Sequence, residues 1–274
     1  MRELKTTTKT TSQLVEIIND LCQNPDKYDR EPFQILDNIY YVGNTWVGAF
    51  LIDTGEGLIL VDTNFPEVMP ILFKNIRKLG FEISDIKWVF ISHGHWDHIG
   101  GVAEIQKLTD CVTYYPEGDR YLLEQKQRKD VAEFRIDHYY EYDKKIVCGN
   151  VTVTPVLTPG HTLGCTSLFV EVPYKGKTYI AGIHGGLGQN GLTQKELAEK
   201  NMPRDLPNRY LASLEKVREI PVDVFLPLHN AYYDIFALEK EDNGDHTIYI
   251  QPEDWKGIMD LRIQAIQKLM AGDK

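Results

Sequence analysis

The sequence predicts an α/β chain folded as a layered sandwich. Three features predict it: the chain falls into two strand-rich halves, helical segments are interspersed among the strands of both, and no biased tract or repeat interrupts either. Hydrophobic residues make up 42% and charged residues 26% of the 274, enough apolar material for a sizeable core. One domain over residues 1–274 is expected, with residues 1–30 as an N-terminal extension carrying a short helix near Ser12–Cys22.

The remaining elements follow in order. Strand-like text covers Asn38–Val42 and Trp46–Asp53, and the turn Thr54-Gly55-Glu56-Gly57 closes a hairpin with Leu58–Asp62. From Pro66 to Leu79, apolar residues recur at Val68, Leu72, Ile76 and Leu79, near the helical period, and Gly80 stands where a C-terminal cap belongs. Ile86–Ser92 reads as an apolar strand that runs straight into a histidine cluster. Gly100-Gly101 then leads to a helix near Val102–Leu108. In the second half, strands near Lys145–Cys148, Val151–Leu157, Thr166–Val172 and Lys177–Ala181 precede a helix near Leu206–Ile220. A strand near Val224–Leu226 and a terminal helix over Glu253–Met270 complete the set.

Composition excludes several classes of function. The net charge is −10 and the basic residues are dispersed among acids, so no phosphate-tracking face is indicated and nucleic acid is not an expected partner. Met1–Thr11 is polar and threonine-rich, without the apolar core of a secretory signal, and no stretch is long enough to cross a bilayer. The four cysteines, Cys22, Cys111, Cys148 and Cys165, are scattered without a CxxC pair and read as small core residues. A cytoplasmic chain acting on a small molecule is expected, although a secreted protein stripped of its leader would read the same. The oligomeric state is left open.

The chemistry concentrates in His93-Gly94-His95-Trp96-Asp97-His98. Neutral imidazole and carboxylate are the ligands that suit Zn²⁺, and paired metal ions can generate hydroxide at neutral pH while clamping a developing oxyanion. The cluster sits on a loop after a strand, where a rigid sheet fixes geometry and leaves the tip open. Of eight histidines, five follow predicted strands in this way: these three, His161 in Thr158-Pro159-Gly160-His161-Thr162, and His229 after Phe225-Leu226-Pro227-Leu228. A lone histidine so placed is more often capped or hydrogen-bonded than metal-bound. For His-x-His-x-Asp-His followed by two further histidines, the balance reverses.

With these residues in order, the chain resembles the metallo-β-lactamase superfamily from about Asp37 to His229. The match includes Asp62 at the end of the hairpin, the Gly100-Gly101 pair, and the Pro159-Gly160-His161-Thr162 turn with Gly164 beyond it. The resemblance implies an αββα four-layer sandwich with two zinc ions per chain at one edge. His93, His95 and His161 would bind the first, and Asp97, His98 and His229 the second, with Asp62 an acceptor that orients a ligand histidine. Open positions in both sets suit catalysis. Asp97 would also orient the attacking hydroxide.

One departure bears on the substrate. Relatives such as glyoxalase II and the lactonases carry a metal-bridging aspartate in a Gly-Asp pair, whereas the text here is Ala181-Gly182-Ile183-His184-Gly185-Gly186. This resembles the lactamases, closest to the third subclass, in which all three cluster histidines are ligands. The run Phe73–Phe81 is similar to that subclass too. The expected reaction is hydroxide attack, at the metals, on a cyclic amide or ester: β-lactam-like or lactone-like. The alternatives are a thioester or ester hydrolase for another metabolite, or an iron-dependent oxidoreductase resembling persulfide dioxygenase, which needs the missing aspartate. A non-catalytic binding module would have no use for open coordination positions.

Gly182–Gly191 holds five glycines and could let backbone approach a substrate closely, or serve as a plain connection. Within it His184 either faces the cavity, the preferred reading, or fixes the loop. His138 and His246 are expected to be surface or structural residues. Trp46, Phe65, Trp96, Tyr232 and Tyr233 are candidates for the pocket wall.

Overall fold

The structure is a computed structural model that describes residue 4, residues 11–125 and residues 128–272. Its first half opens with α1 (Thr11–Gln23) and builds a sheet from β1 (Phe33–Leu36), β2 (Ile39–Tyr41), β3 (Phe50–Asp53) and β4 (Leu58–Val61). Helix α2 (Met69–Lys78) then crosses to β5 (Ile86–Phe90), and α3 (Trp96–Ile99) and α4 (Val102–Leu108) lead to β6 (Val112–Tyr115). After α5 (Arg120–Glu124), β7 (His138–Tyr139) completes the order β1-β2-β3-β4-β5-β6-β7. Pairing is antiparallel as far as β4 and parallel beyond it.

The second half forms the other sheet from β8 (Ile146–Cys148), β9 (Val151–Leu157), β10 (Thr166–Tyr174) and β11 (Lys177–Ile183). Helices α6 (Gln194–Glu199) and α7 (Leu206–Arg218) precede β12 (Val224–Phe225), giving the order β12-β11-β10-β9-β8. Two further helices, α8 (Ile235–Glu241) and α9 (Pro252–Gly272), end the described chain.

Strand alternation explains the layers. In β3 and β4, Phe50, Ile52, Ile59 and Val61 face the second sheet and join Val153, Leu168, Val170 and Ala181 in the core between sheets. Their neighbours Leu51, Leu58 and Leu60 turn the other way, onto Leu72 and Ile76 of α2 and Ile105 of α4. Period-2 exposure to two apolar layers requires helices on the outside of each sheet. On the far side, α7 and α9 cover the second sheet with Tyr210, Leu214 and Val217 and with Trp255, Ile258, Met259 and Ile266, one face at helical spacing. The architecture is the αββα sandwich.

Several expectations shift in detail. The strand read over Trp46–Asp53 begins at Phe50; before it, Val47 makes only an isolated bridge to His229. Strands β1, β6 and β7 went unread: they run only four, four and two residues. Helix α2 ends as expected, with Gly80 at φ +86° donating to the Arg77 carbonyl at 2.9 Å. All four cysteines are free, three of them buried.

Candidate metal centre

The loops after β4, β5, β6, β9, β11 and β12 meet at one edge of the sandwich. Parallel pairing sends β4, β5 and β6 out of their sheet side by side, and such carboxyl ends are where open α/β sheets bind ligands. The second sheet meets them there, because Thr166, at the start of β10, donates its N–H to the Ser92 carbonyl at 2.8 Å.

Asp62 organises the first loop. It holds φ +57° at the end of β4, a left-handed conformation that Asp tolerates better than most residues. Its Oδ1 accepts from Ser92 N at 2.8 Å and its Oδ2 accepts from Ser92 Oγ at 2.7 Å. His98 Nδ1 lies 2.7 Å from the same Oδ2. Gly100 and Gly101 let the chain after His98 close on the β4 loop, since a Cβ there would stand 2.5 Å from Pro66 Cδ or 2.1 Å from Met69 Sδ.

These contacts fix where the imidazole protons sit. Asp62 can only accept from His98, so Nδ1 carries a proton and in the neutral ring Nε2 is the bare nitrogen. Ser92 Oγ spends its hydrogen on Asp62 and accepts from His93 Nδ1 at 3.0 Å, which leaves His93 Nε2 bare as well. The Gly188 carbonyl does the same for His161, 3.1 Å from its Nδ1. His229 hydrogen-bonds to the backbone of Trp46.

Two groups of donors result. His93, His95 and His161 form one, and Asp97, His98 and His229 the other; within each, one ligand atom per residue lies within 4.8 Å of the rest. His95 Nδ1 is 3.0 Å from His161 Nε2, and His98 Nε2 is 3.2 Å from His229 Nε2. Asp97 Oδ2 stands 3.6 Å from the Nε2 of both His98 and His229. Tetrahedral ligands about zinc stand roughly 3.3 Å apart. His93 Nε2 is buried without a hydrogen-bond partner, the mark of a lone pair meant for something other than protein. The donor set fits a pair of zinc ions.

The electrostatics favour neutral rings at four of the five histidines; at the fifth, His98, burial lowers the value but Asp97 and Asp62 outweigh it and raise it. Burial and neighbouring histidines push His93 and His161 well below the ordinary imidazole value, and burial brings His95 and His229 to about 4. These rings are neutral at pH 7 and free to bind metal without releasing protons. Burial raises the Asp97 carboxyl, but His98, His229 and His95 outweigh it and hold the group below its usual value. Its carboxylate is therefore ionised at neutral pH.

Asp119, which sequence reasoning missed, ties the two halves of the site together. It follows β6 and is fully buried, accepting from Gly94 N at 2.8 Å, Thr162 Oγ1 at 2.8 Å and Gly164 N at 2.6 Å. The cluster loop and the His161 loop thus share one carboxylate. Nothing in Pro116-Glu117-Gly118-Asp119 separates Asp119 from Glu117, and the β-favouring run Val112-Thr113-Tyr114-Tyr115 before it went unread.

The other candidates are placed as follows. His184 is buried, its Nδ1 accepting from Gly186 N at 3.1 Å and its ring 6.5 Å from those of Tyr210 and Trp255, so it fastens the glycine loop. That loop lies on a ligand candidate: a Cβ at Gly186 would stand 2.8 Å from His161 Cβ. Trp46 and Tyr232 set their rings 6.5 and 6.4 Å from that of His229. Phe65 packs edge-on to Trp96 at 5.5 Å, while Tyr233 turns into the core against Phe225 and bonds Asp254. A cavity of about 590 Å³ beside Trp96 is walled by Ile99, Leu122, Arg128, Val131 and Phe134. His138 is exposed on β7, and His246 bonds Asp242 at 2.7 Å.

Comparison with known proteins agrees with this geometry. The sequence model of the metallo-beta-lactamase superfamily matches residues 47–229. The crystal structure of BJP-1, a subclass B3 metallo-beta-lactamase of Bradyrhizobium japonicum, superposes with a TM-score of 0.82 at 30% identity, covering 92% of this chain and 98% of that one. A beta-lactamase-like protein 2 homolog of Caenorhabditis elegans is 25% identical over 73% of this chain and 61% of its own length. An N-acyl homoserine lactonase of Bacillus thuringiensis is 26% identical over 50% of this chain and 63% of its own. The chain spans about three fifths of the length of these curated relatives.

Proposed function

The chain belongs to the metallo-beta-lactamase superfamily, and from that premise we propose that it is a two-zinc hydrolase that opens a cyclic amide or ester, a β-lactam or a lactone. One observation carries the reading: two adjacent donor triads whose proton positions are set by Asp62, Ser92 and Gly188, leaving bare nitrogens turned inward. His93, His95 and His161 are read as one ligand set, and Asp97, His98 and His229 as the other. Zinc in such sets supplies Lewis-acid polarisation of the scissile carbonyl and a nucleophile at neutral pH.

The chain's own residues do the rest. Asp62 holds His98 and, through Ser92, His93, so that neither ring can turn its protonated nitrogen inward. Asp97 orients the attacking water. Trp96 and the cavity beside it, lined by apolar side chains and by Glu124, Arg128, Lys129 and Glu133, accept a substituent of the substrate. Residues 1–274 are read as one domain, since strands of both halves share the core between the sheets.

Ile183 stands where lactonases and glyoxalase II place aspartate, which favours the β-lactam. The lactone is the second reading, favoured by the likeness to the N-acyl homoserine lactonase. Zinc-loaded protein screened against β-lactams, lactones and thioesters, with metal counted by elemental analysis, tests both. Two zincs and turnover of a β-lactam or lactone are expected. One iron per chain, or no turnover of either class, would overturn the proposal.

A further inference from the structure

We propose that Arg262, with His184 and Tyr210 beside it, forms a buried subsite for a singly charged anion next to the candidate metal centre. Arg262 lies on the inner face of α9 and is only 5% exposed. A guanidinium so placed is ordinarily matched by a carboxylate, because an unpaired buried charge is among the costliest features a fold can carry. Among the described residues no carboxylate forms an ion pair with it, and its Nε has no hydrogen-bond partner. Asp254, the buried acid of the same helix, stands about 12 Å back along the axis and is taken by the Tyr233 hydroxyl at 2.5 Å. What Arg262 does face is aromatic: its guanidinium sits 5.1 Å from the centroid of Tyr232, and its charge bears on the Tyr210 hydroxyl. That hydroxyl gives its own proton to the Leu187 carbonyl at 2.8 Å, so it neutralises nothing.

His184 supplies a second orphan donor. Its Nδ1 accepts from Gly186 N, which puts the proton of the neutral ring on Nε2, and Nε2 is buried without a partner. The ring stands edge-on to Tyr210 at 6.5 Å, and burial together with the Arg262 charge pushes its pKa down to about 3. Two buried N–H groups, one cationic and one neutral, thus bear on the same tyrosine and lack an acceptor. Water would satisfy the imidazole and leave the charge unmatched. One negative charge satisfies both.

The subsite abuts the metal ligands. Tyr232, under the guanidinium, packs edge-on to His229 at 6.4 Å, and a Cβ at Gly188 would stand 3.1 Å from His161 Nδ1 and 3.2 Å from Tyr232 Oη. The anionic acceptor has two possible sources, a free small ion or the carboxylate of the substrate. The second source rests on the hydrolase reading; the first does not.

Formate is the probe. Metal-loaded wild type, Arg262→Lys and Arg262→Met are melted with and without sodium formate at constant ionic strength. Without formate, Arg262→Met is expected to melt no lower than wild type, because it removes an unmatched charge at similar volume. Formate is expected to raise the Tm of wild type and Arg262→Lys several degrees more than that of Arg262→Met. Calorimetric titration of formate into His184→Phe reads the same site without altering the arginine, and binding about tenfold weaker than wild type is expected. Equal formate response in wild type and Arg262→Met, or equal formate binding by wild type and His184→Phe, overturns the subsite. For a substrate the screen finds cleaved, kcat/KM is compared for the free acid and its methyl ester. A preference for the acid that falls about tenfold in Arg262→Met assigns the anion to substrate, and an unchanged preference beside a positive formate result assigns it to a free ion.

Discussion

Asp119→Asn isolates the joint between the two ligand loops. In the native chain Oδ2 serves Gly94 N and Thr162 Oγ1 while Oδ1 serves Gly164 N. An amide offers one oxygen. Whichever way it flips, its NH₂ meets a backbone N–H, either Gly94 or Gly164, and only the Thr162 hydroxyl can rotate to accept instead. One orphaned buried donor costs about 1–3 kcal/mol, and the surviving bond loses charge assistance worth roughly 0.5–1 kcal/mol. The expected loss is therefore about 2–4 kcal/mol. Urea unfolding of metal-free wild type and variant measures it at pH 8, above the value of about 6 to which burial raises this carboxyl. Competition against a chelator should also show metal held about 10–100-fold more weakly by the group containing His161. A stability change below about 0.5 kcal/mol with unchanged metal affinity would refute the reasoning. The loops would then be held by backbone packing alone, where a Cβ on Gly118 would stand 2.9 Å from Gly164 Cα.

Three further outcomes are expected. His95→Ala should lower bound zinc from two per chain to one and abolish hydrolysis of any substrate found; full activity in this variant would discard the ligand assignment. Gly186→Ala, whose Cβ would stand 2.8 Å from His161 Cβ, should cost about 1–3 kcal/mol by overpacking and weaken metal binding more than Gly188→Ala, where the nearest ring atom is 3.1 Å away; the reverse order in chelator competition would contradict it. Acid should weaken the fold through His184, whose pKa of about 3 in the folded chain lies below its ordinary 6.5 because of burial and Arg262. Its contribution is complete above pH 6.5 and is lost as pH falls from 6.5 towards 3. His184→Gln should flatten the stability curve there by up to about 1.4 kcal/mol per pH unit, and parallel curves from denaturant titrations would exclude it.

The six-residue cluster was legible because its candidate donors are adjacent in the chain, so spacing alone points to the chemistry. His161 and His229 were legible by repetition of strand, turn and histidine. Asp62 could be given a role only through the resemblance. Asp119 was not legible, since its partners lie on loops that meet only after both sheets form, and Ser92 was not, since its partner Asp62 lies 30 residues back on the loop after the neighbouring strand. Arg262 reads in sequence as one charge on an amphipathic helix; that no carboxylate among the described residues pairs with it is a property of packing. Likewise nothing local separates Tyr232, which reaches His229, from Tyr233, which turns into the core.

The two donor groups also set the timing of assembly. His95 and His161 are 66 residues apart, and His98 and His229 are 131 apart. When the first sheet leaves the ribosome, four of the six donors are present and neither group is complete. The second group is complete only once β12 pairs with β11 and brings His229 beside His98. Closure over such sequence separations is slow compared with hairpin or helix formation. If the six residues hold metal as proposed, a spectroscopic probe such as Co²⁺ should report the pairing of β12 with β11 that brings His229 in, and a chain truncated before β12 should offer metal only a partial site.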